Sequence, residues 1–422
     1  MLNVDKKRVL IISNNVLSEK RNNGKTIVSF IDAIAKENVR QLYFNAEKPT
    51  IEGYEYFQIT DSDVLRGRFN SSKRGRSIEN PAYDVLEMLA PIKSVAGKKT
   101  PLKRAARDLI WLNGWKSDKL LTWLDEFRPD TIFFVAGDSG FAYNIVRFVK
   151  NRYDCRLVTY ITDDYILPRI HESLIAKIRR QYIKKKMTKC VHDSYAYYTI
   201  SPAMQKKYET LFCKSSEILV NMSSCLYDES LCTDNKNEFV LVYAGSLYYG
   251  RDRVLLELCK ILKNYNECTT GRRAVLHIYT STISNDIRDK LFSCFDCSEY
   301  CGSVGPDELK TIYNQANALV FVESFEPEMI ERTKYSLSTK VPEYLSLKKP
   351  ILAIGPKGIG SMDYLEGCAI CVNNLEVLDE KVNELLSSSS NSSELSEAAF
   401  QKYCKYHNKI NNQKHFVDTL QK

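Results

Sequence analysis

The chain has 422 residues, 44% of them hydrophobic and 27% charged, which suits two or three folded domains and excludes disorder, collagen or coiled-coil arrays as whole-chain descriptions. The formal net charge of +8 is unevenly spread: residues 1–220 hold 38 Lys and Arg against 25 Asp and Glu, while 221–422 hold 22 against 27. The first half is therefore expected to face something anionic, a nucleic acid or a lipid surface. No apolar run approaches the roughly 18–20 residues that span a bilayer. Val9–Ile12 is too short for a signal-peptide core, so the 13 cysteines read as reduced thiols of a cytoplasmic protein.

Short apolar runs alternate with helical patterns from end to end, the signature of βαβ units and parallel sheets. The first series predicts strands at Arg8–Ser13, Val39–Phe44, Thr131–Ala136, Arg156–Ile161, Tyr197–Ile200 and Ile218–Asn221. After the polar stretch Met222–Glu238 a second series predicts Phe239–Ala244, Ala274–Tyr279, Ala318–Glu323 and Pro350–Ile354. Helices are predicted between them, among them Arg251–Asn264, Pro306–Gln315 and Leu375–Leu386; Ser387–Ser393 reads as a loop and Glu394–Gln421 as one terminal helix. The fold class is α/β: two Rossmann-like, doubly wound domains facing across a cleft, over 1–222 and 223–395, with a terminal helix (396–422) packing back on the first.

Two segments carry the basic character. Leu65–Arg107 holds 11 Lys and Arg against three acids, and Leu109–Leu124 continues it with Trp111, Trp115 and Trp123. A helix over Arg169–Lys189 puts Ile170, Leu174, Ile178, Tyr182 and Ile183 on one face, with Lys177, Arg179, Arg180, Lys184, Lys185 and Lys186 around the rest. It could lie on an anionic membrane, or pack on a core with a solvated basic back. The aromatics do not interleave with the basic residues as a base-stacking platform requires, which argues against nucleic acid.

Asn22-Asn23-Gly24-Lys25-Thr26 looks like the end of a P-loop, but Glu19 stands where that loop needs glycine, so NTPase chemistry is not expected. What remains is Gly24 at a strand-to-helix turn, either approaching a ligand's negative group or making a tight turn only. Cys294-x-x-Cys297 with Cys301, and Cys368-x-x-Cys371, are too far apart and too apolar in setting for a zinc site, and the five histidines show no metal spacing. No metal is expected. His192-Asp193-Ser194 are sequence neighbours whose side chains do not converge into a triad.

Ser338-Thr339-Lys340-Val341-Pro342-Glu343 opens a helix ahead of the strand in Lys349–Pro356. Hydroxyls capping a helix start beside a lysine suit a phosphate, and a carboxylate one turn in can accept both hydroxyls of a ribose. The implied ligand is a nucleoside diphosphate group.

With Arg128-Pro129-Asp130, Thr162-Asp163-Asp164-Tyr165, Ile200-Ser201-Pro202-Ala203-Met204, Tyr243-Ala244-Gly245-Ser246-Leu247, Gly250-Arg251 and the Ser338–Pro356 block in this order, the chain resembles the group 1 (GT4-type) glycosyltransferases of the GT-B fold, particularly those of bacterial polysaccharide synthesis. The resemblance implies a retaining, metal-independent transferase without a cofactor, moving sugar from a nucleotide-diphosphate sugar to a lipid-linked or free glycan. The acceptor of choice is polyprenyl-diphosphate-linked, at the cytoplasmic face of a membrane, for capsule or exopolysaccharide. It implies that Glu343 binds the ribose, Ser338, Thr339 and Lys340 meet the diphosphate with Arg251, and Gly24 and Gly245 face the donor. Arg251, Lys340 and Asp138 are the catalytic candidates; Asp163 and Asp164 are placed on the acceptor side, and Arg179, Arg180 and Lys184–Lys186 on the membrane. Tyr335 stands eight positions before Glu343, where the family pattern has a second glutamate; Glu323 and Glu331 have that spacing but precede the block. An epimerase of the same fold and an inactive donor-binding partner are the alternatives.

Overall fold

The structure is a computed structural model, and it describes residues 7–18, 22–67, 70–78, 100–233, 235–281, 283–289, 291, 295–387 and 390–422. Glu19, Cys294 and stretches of the Leu65–Arg107 and Ser387–Ser393 segments lie outside the described residues. The chain divides into two compact units, residues 1–222 with 412–422 and residues 223–411.

The first unit is built on β1 (Val9–Ser13), β2 (Val39–Tyr43), β3 (Glu55–Gln58), β4 (Arg76–Ile78), β5 (Thr131–Ala136), β6 (Arg156–Ile161), β7 (Ala196–Thr199) and β8 (Glu217–Ile218). They form one sheet in the order β4-β3-β2-β1-β5-β6-β7-β8, parallel except for β3 with β4. Every residue of β1 and β5 is buried, as expected of inner parallel strands covered on both faces. The strand order reverses between β2 and β5, flanking β1 in register at Val9↔Val39 and Val9↔Thr131. The carboxyl ends there open a crevice in which such sheets bind ligands.

The second unit repeats the plan with β9 (Glu238–Ala244), β10 (Arg273–Tyr279), β11 (Ser298–Gly302), β12 (Ala318–Val322), β13 (Ile351–Ile354) and β14 (Ile370–Val372), ordered β11-β10-β9-β12-β13-β14 and parallel throughout. Its switch lies between β9 and β12. β3, β4 and β11 were not predicted, and β14 was legible only as an apolar run at Ala369–Val372, outside the predicted series. β4 (Arg-Ser-Ile) and β11 (Ser-Glu-Tyr-Cys-Gly) are edge strands and carry the polar residues that keep edges from pairing further, so they show no apolar run.

The chain's end corrects the sequence reading. Ser390–Tyr406 and Lys409–Gln421 are separate helices, and Ser390–Ser393 is helical rather than looped. The break falls at His407, fully buried with Nε2 2.9 Å from the Tyr364 hydroxyl. Beyond it Phe416 packs edge-on against Phe30, Phe133 and Tyr198, inside the core of the first unit.

The basic segments are also rearranged. Trp111, Trp115 and Trp123 are all core residues and form no interfacial belt; Trp111 stacks on Phe141 at 3.8 Å. The basic helix runs Leu174–Asp193 and buries Arg180, Ile183, Met187, Cys190 and Val191. Leu174 and Ile178, the expected inward stripe, are 72% and 63% exposed.

Candidate functional site

In the second unit the candidate residues gather at the carboxyl ends of β9, β12 and β13. β9 runs into Gly245, whose N–H donates to the Tyr279 carbonyl, then to Gly250 in the left-handed region (φ 78°). A Cβ there would lie 2.9 Å from both Ser324 Oγ and Glu326 Oε1, so only glycine lets this turn deliver Arg251 to the head of helix Arg251–Cys268. Arg251 Nη2 lies 3.0 Å from Glu323 Oε2, just past β12. Burial pushes the Glu323 carboxyl up, with Arg251 pulling it back; burial opposes the Arg251 charge, and Glu323 and Tyr243 more than offset it. Glu323, set aside in the sequence for its spacing, is thus the partner that holds Arg251.

Glu343 and Lys340 sit on the short helix Lys340–Leu345, with Lys340 Nζ 3.1 Å from Glu343 Oε2 and 3.2 Å from the Tyr313 hydroxyl. Capping falls to Ser338, whose Oγ accepts the Lys340 N–H, whereas the exposed Thr339 makes no side-chain cap. The Ser338 N–H is tied to Ser361 Oγ at 3.0 Å. Tyr344 supports the helix from beneath: its ring meets Tyr313 edge-on at 5.4 Å and its hydroxyl lies 3.4 Å from the Ala244 N–H. Burial raises the hydroxyls of Tyr243, Tyr313 and Tyr344, which therefore stay neutral. Both candidate cations are matched by a glutamate, Arg251 by Glu323 and Lys340 by Glu343. The sequence reading met Tyr243 and Tyr344 only as members of motif blocks and gave Tyr313 no role.

In the first unit a crevice of about 910 Å³ opens at the carboxyl ends of β1, β2, β5 and β6. Its charges also come in pairs: Arg104 with Asp138, Arg107 with Asp61 at 2.7 Å and Arg179 with Asp108 at 3.2 Å. Burial raises the Asp108 carboxyl, opposed by Arg179 and by the Phe141 and Gly140 N–H groups. Asp138 and Asp163 line the crevice; the Tyr165 hydroxyl donates to Asp163 at 3.1 Å. Arg104 and Arg107 were missed, and Arg179 was assigned to a membrane surface, because all three stand on helices away from these strands in sequence.

Several expected roles are redirected. Asp164 is turned into the fold: its Oδ1 accepts the Ile166 and Leu167 N–H groups and the Tyr208 hydroxyl, and Oδ2 is 2.9 Å from Arg169. Gly24 lies in the first turn of helix Asn22–Ile31, where a Cβ would sit 2.2 Å from the Val16 carbonyl oxygen, so close packing of its own backbone accounts for the glycine. Arg180 is buried in a fork to Glu172 at 2.8 and 2.9 Å, and Arg179 reaches inward to Asp108; neither belongs to a membrane surface. Lys186 is half-buried and donates to Asn144 Oδ1, leaving Lys185 as the exposed member of its trio.

Among the described cysteines, burial pushes the Cys297 and Cys371 thiols up to about 11. His277, Glu299 and Cys301, on β10 and β11, do bring one donor atom each within 4.8 Å of one another, a cluster that sequence spacing did not reveal.

No protein-family model matches the chain, and no curated protein matches it. Solved structures do. HepE of Anabaena, determined with UDP and glucose, is 10% identical with a TM-score of 0.59, over 98% of this chain and 99% of that one. Sucrose-phosphate synthase from Thermosynechococcus elongatus is 8% identical at TM-score 0.62 over 98% of each. A trehalose-6-phosphate synthase from E. coli, bound with UDP-2-fluoro glucose, is 12% identical at 0.61 over 98% and 99%. The fold is GT-B, two Rossmann-like units, along the full chain. Among the described residues no helix is long and apolar enough to cross a membrane.

Proposed function

We propose that this chain is a retaining glycosyltransferase that takes its sugar from a nucleotide-diphosphate donor held by the second unit. The carrying observation is the Lys340–Glu343 pair on the short helix ahead of β13, together with the Arg251–Glu323 pair at the end of β12, in a chain of GT-B fold. On binding, the diphosphate draws Lys340 from Glu343, and the freed carboxylate accepts the ribose hydroxyls. Arg251, held by Glu323, and Lys340 then offset the charge of the leaving diphosphate without a metal, a preorganised electrostatic role. UDP-sugars are the first donors to test, because solved proteins of this fold carry UDP and UDP-2-fluoro glucose. In a thermal-shift panel of UDP, GDP, ADP, CMP and TDP, one nucleotide at ~100 times its dissociation constant stabilises by about 2.7 kcal/mol, a shift of several degrees. Glu343→Ala removes that shift; a nucleotide response unchanged in the variant refutes the site.

The acceptor is a neutral glycan on an apolar carrier. The paired guanidinium and carboxylate groups of the first-unit crevice suit vicinal hydroxyls. Leu65 and Ile110 are exposed members of its lining. Leu102 and Leu109 are exposed on helix Pro101–Gly114, which packs against the Leu174–Asp193 helix carrying Leu174 and Ile178. Exposed leucines among lysines favour an anionic bilayer at the cytoplasmic face, as a polyprenyl-linked acceptor in cell-surface polysaccharide synthesis requires. Leu109→Glu with Ile178→Glu is expected to reduce sedimentation with phosphatidylglycerol vesicles while leaving thermal stability unchanged. Equal sedimentation of variant and parent contradicts this part.

A further inference from the structure

On the other side of the Leu174–Asp193 helix, against helix Gly140–Tyr153, lies a second cavity of about 420 Å³. Its lining holds Arg147, Lys150, Lys185, Lys186 and Lys189, with Asp193 as the single acid. Arg147 makes no salt bridge among the described residues, unlike Arg104, Arg107, Arg179 and Arg180, and neither do the four lysines. Lys186 is the telling member. It donates to a neutral amide, Asn144 Oδ1, and lies 5.4 Å from the centre of the Tyr182 ring; burial lowers its pKa, with Arg147 and Lys189 acting the same way and Asp108 opposing them. The floor is apolar, with Val146, Leu157 and Cys190 beneath the amines.

Converging like charges cost free energy unless a counter-ion is held among them, and the cost grows where the amines are drawn out of water. Arg147, Lys185 and Lys189 are exposed, whereas Lys150 and Lys186 are partly buried. Here two helices supply the cations from both walls of one concavity, i,i+3 on one (Arg147, Lys150) and i,i+3 and i,i+4 on the other (Lys186, Lys189 and Lys185). We propose that this cavity binds a phosphate-bearing anion. The ammonium groups and Arg147 take its oxygens, and the apolar floor takes whatever the phosphate is attached to. The site is separate from the crevice at the strand ends and does not depend on the glycosyltransferase reading. A phospholipid headgroup and a free phosphate compound share this chemistry.

The test uses the full chain with Lys340→Gln as background, which removes the cation that the donor reading gives to a diphosphate, so that pyrophosphate bound there is suppressed. Lys186→Gln with Lys189→Gln is compared with that background by isothermal titration with pyrophosphate and by flotation with vesicles of phosphatidylcholine with or without phosphatidylglycerol. A free phosphate ligand gives saturable pyrophosphate binding that weakens at least about tenfold in the double variant, the ~1.4 kcal/mol scale of one lost charged contact. A headgroup ligand gives no pyrophosphate heat but phosphatidylglycerol-dependent flotation that the double variant loses, while Lys177→Gln with Lys206→Gln, removing two charges elsewhere, keeps it. Unchanged binding in both assays, or equal loss in both double variants, overturns the proposal. A circular-dichroism melt of each variant excludes unfolding as the cause.

Discussion

Glu323→Ala is expected to lower the unfolding free energy by about 3–5 kcal/mol, the usual consequence of removing one partner of a buried ion pair. The side chain of Glu323 is 4% exposed and that of Arg251 is 20% exposed, so a stranded guanidinium gains little water in exchange. The pair also joins the end of β12 to the head of the Arg251–Cys268 helix, across 72 residues of sequence. Urea denaturation measures the loss, and an unchanged midpoint contradicts it. The pH dependence carries a second signature. Burial holds the Glu323 carboxyl above its ordinary value of 4.5. Below that value both folded and unfolded chains are protonated here. As pH rises through 4.5 the unfolded chain ionises first, so this side chain's contribution to stability falls until the folded pKa is passed. Glu323→Gln should therefore remove a decline with rising pH that the parent chain retains.

Asp164→Ala is expected to cost at least about 3 kcal/mol, because it orphans the buried Tyr208 hydroxyl and two backbone N–H groups, each worth about 1–3 kcal/mol when unsatisfied. Asp164→Asn keeps an acceptor oxygen in place and should lose less. A residue acting on substrate gives the opposite pattern: full stability in both variants with transfer abolished. Thermal melts of the two variants beside donor turnover separate these outcomes.

The inner strands were legible because parallel sheets covered on both faces demand unbroken apolar runs, and β5 and β6 fall at their expected bounds, Thr131–Ala136 and Arg156–Ile161. Edge strands were not, since the side chains that protect β4 and β11 erase the pattern. The donor-side block was legible as local chemistry: a lysine and a glutamate three apart on one helix meet whatever the rest of the fold does. Glu323 was passed over because its meaning lies in Arg251, which only the strand order brings near. The basic helix misled for a related reason. Its composition gave the charge correctly, but Arg180 points inward to Glu172 and Leu174 outward, a rotation fixed by packing against neighbouring helices and invisible in the helix's own periodicity.

Nucleoside diphosphate release tests the central claim most directly. The purified chain is incubated with the nucleotide sugar chosen by the binding panel and with a lipid extract as acceptor source, and released diphosphate is counted beside Lys340→Met and Glu343→Ala. A glycosyltransferase releases diphosphate with multiple turnovers, dependent on the extract, and both variants fall by at least about a hundredfold, as when an electrostatic contact to the transition state is removed. Nucleotide binding that depends on Glu343, with no release from any sugar in any extract, contradicts the account and leaves a protein that holds a donor without spending it.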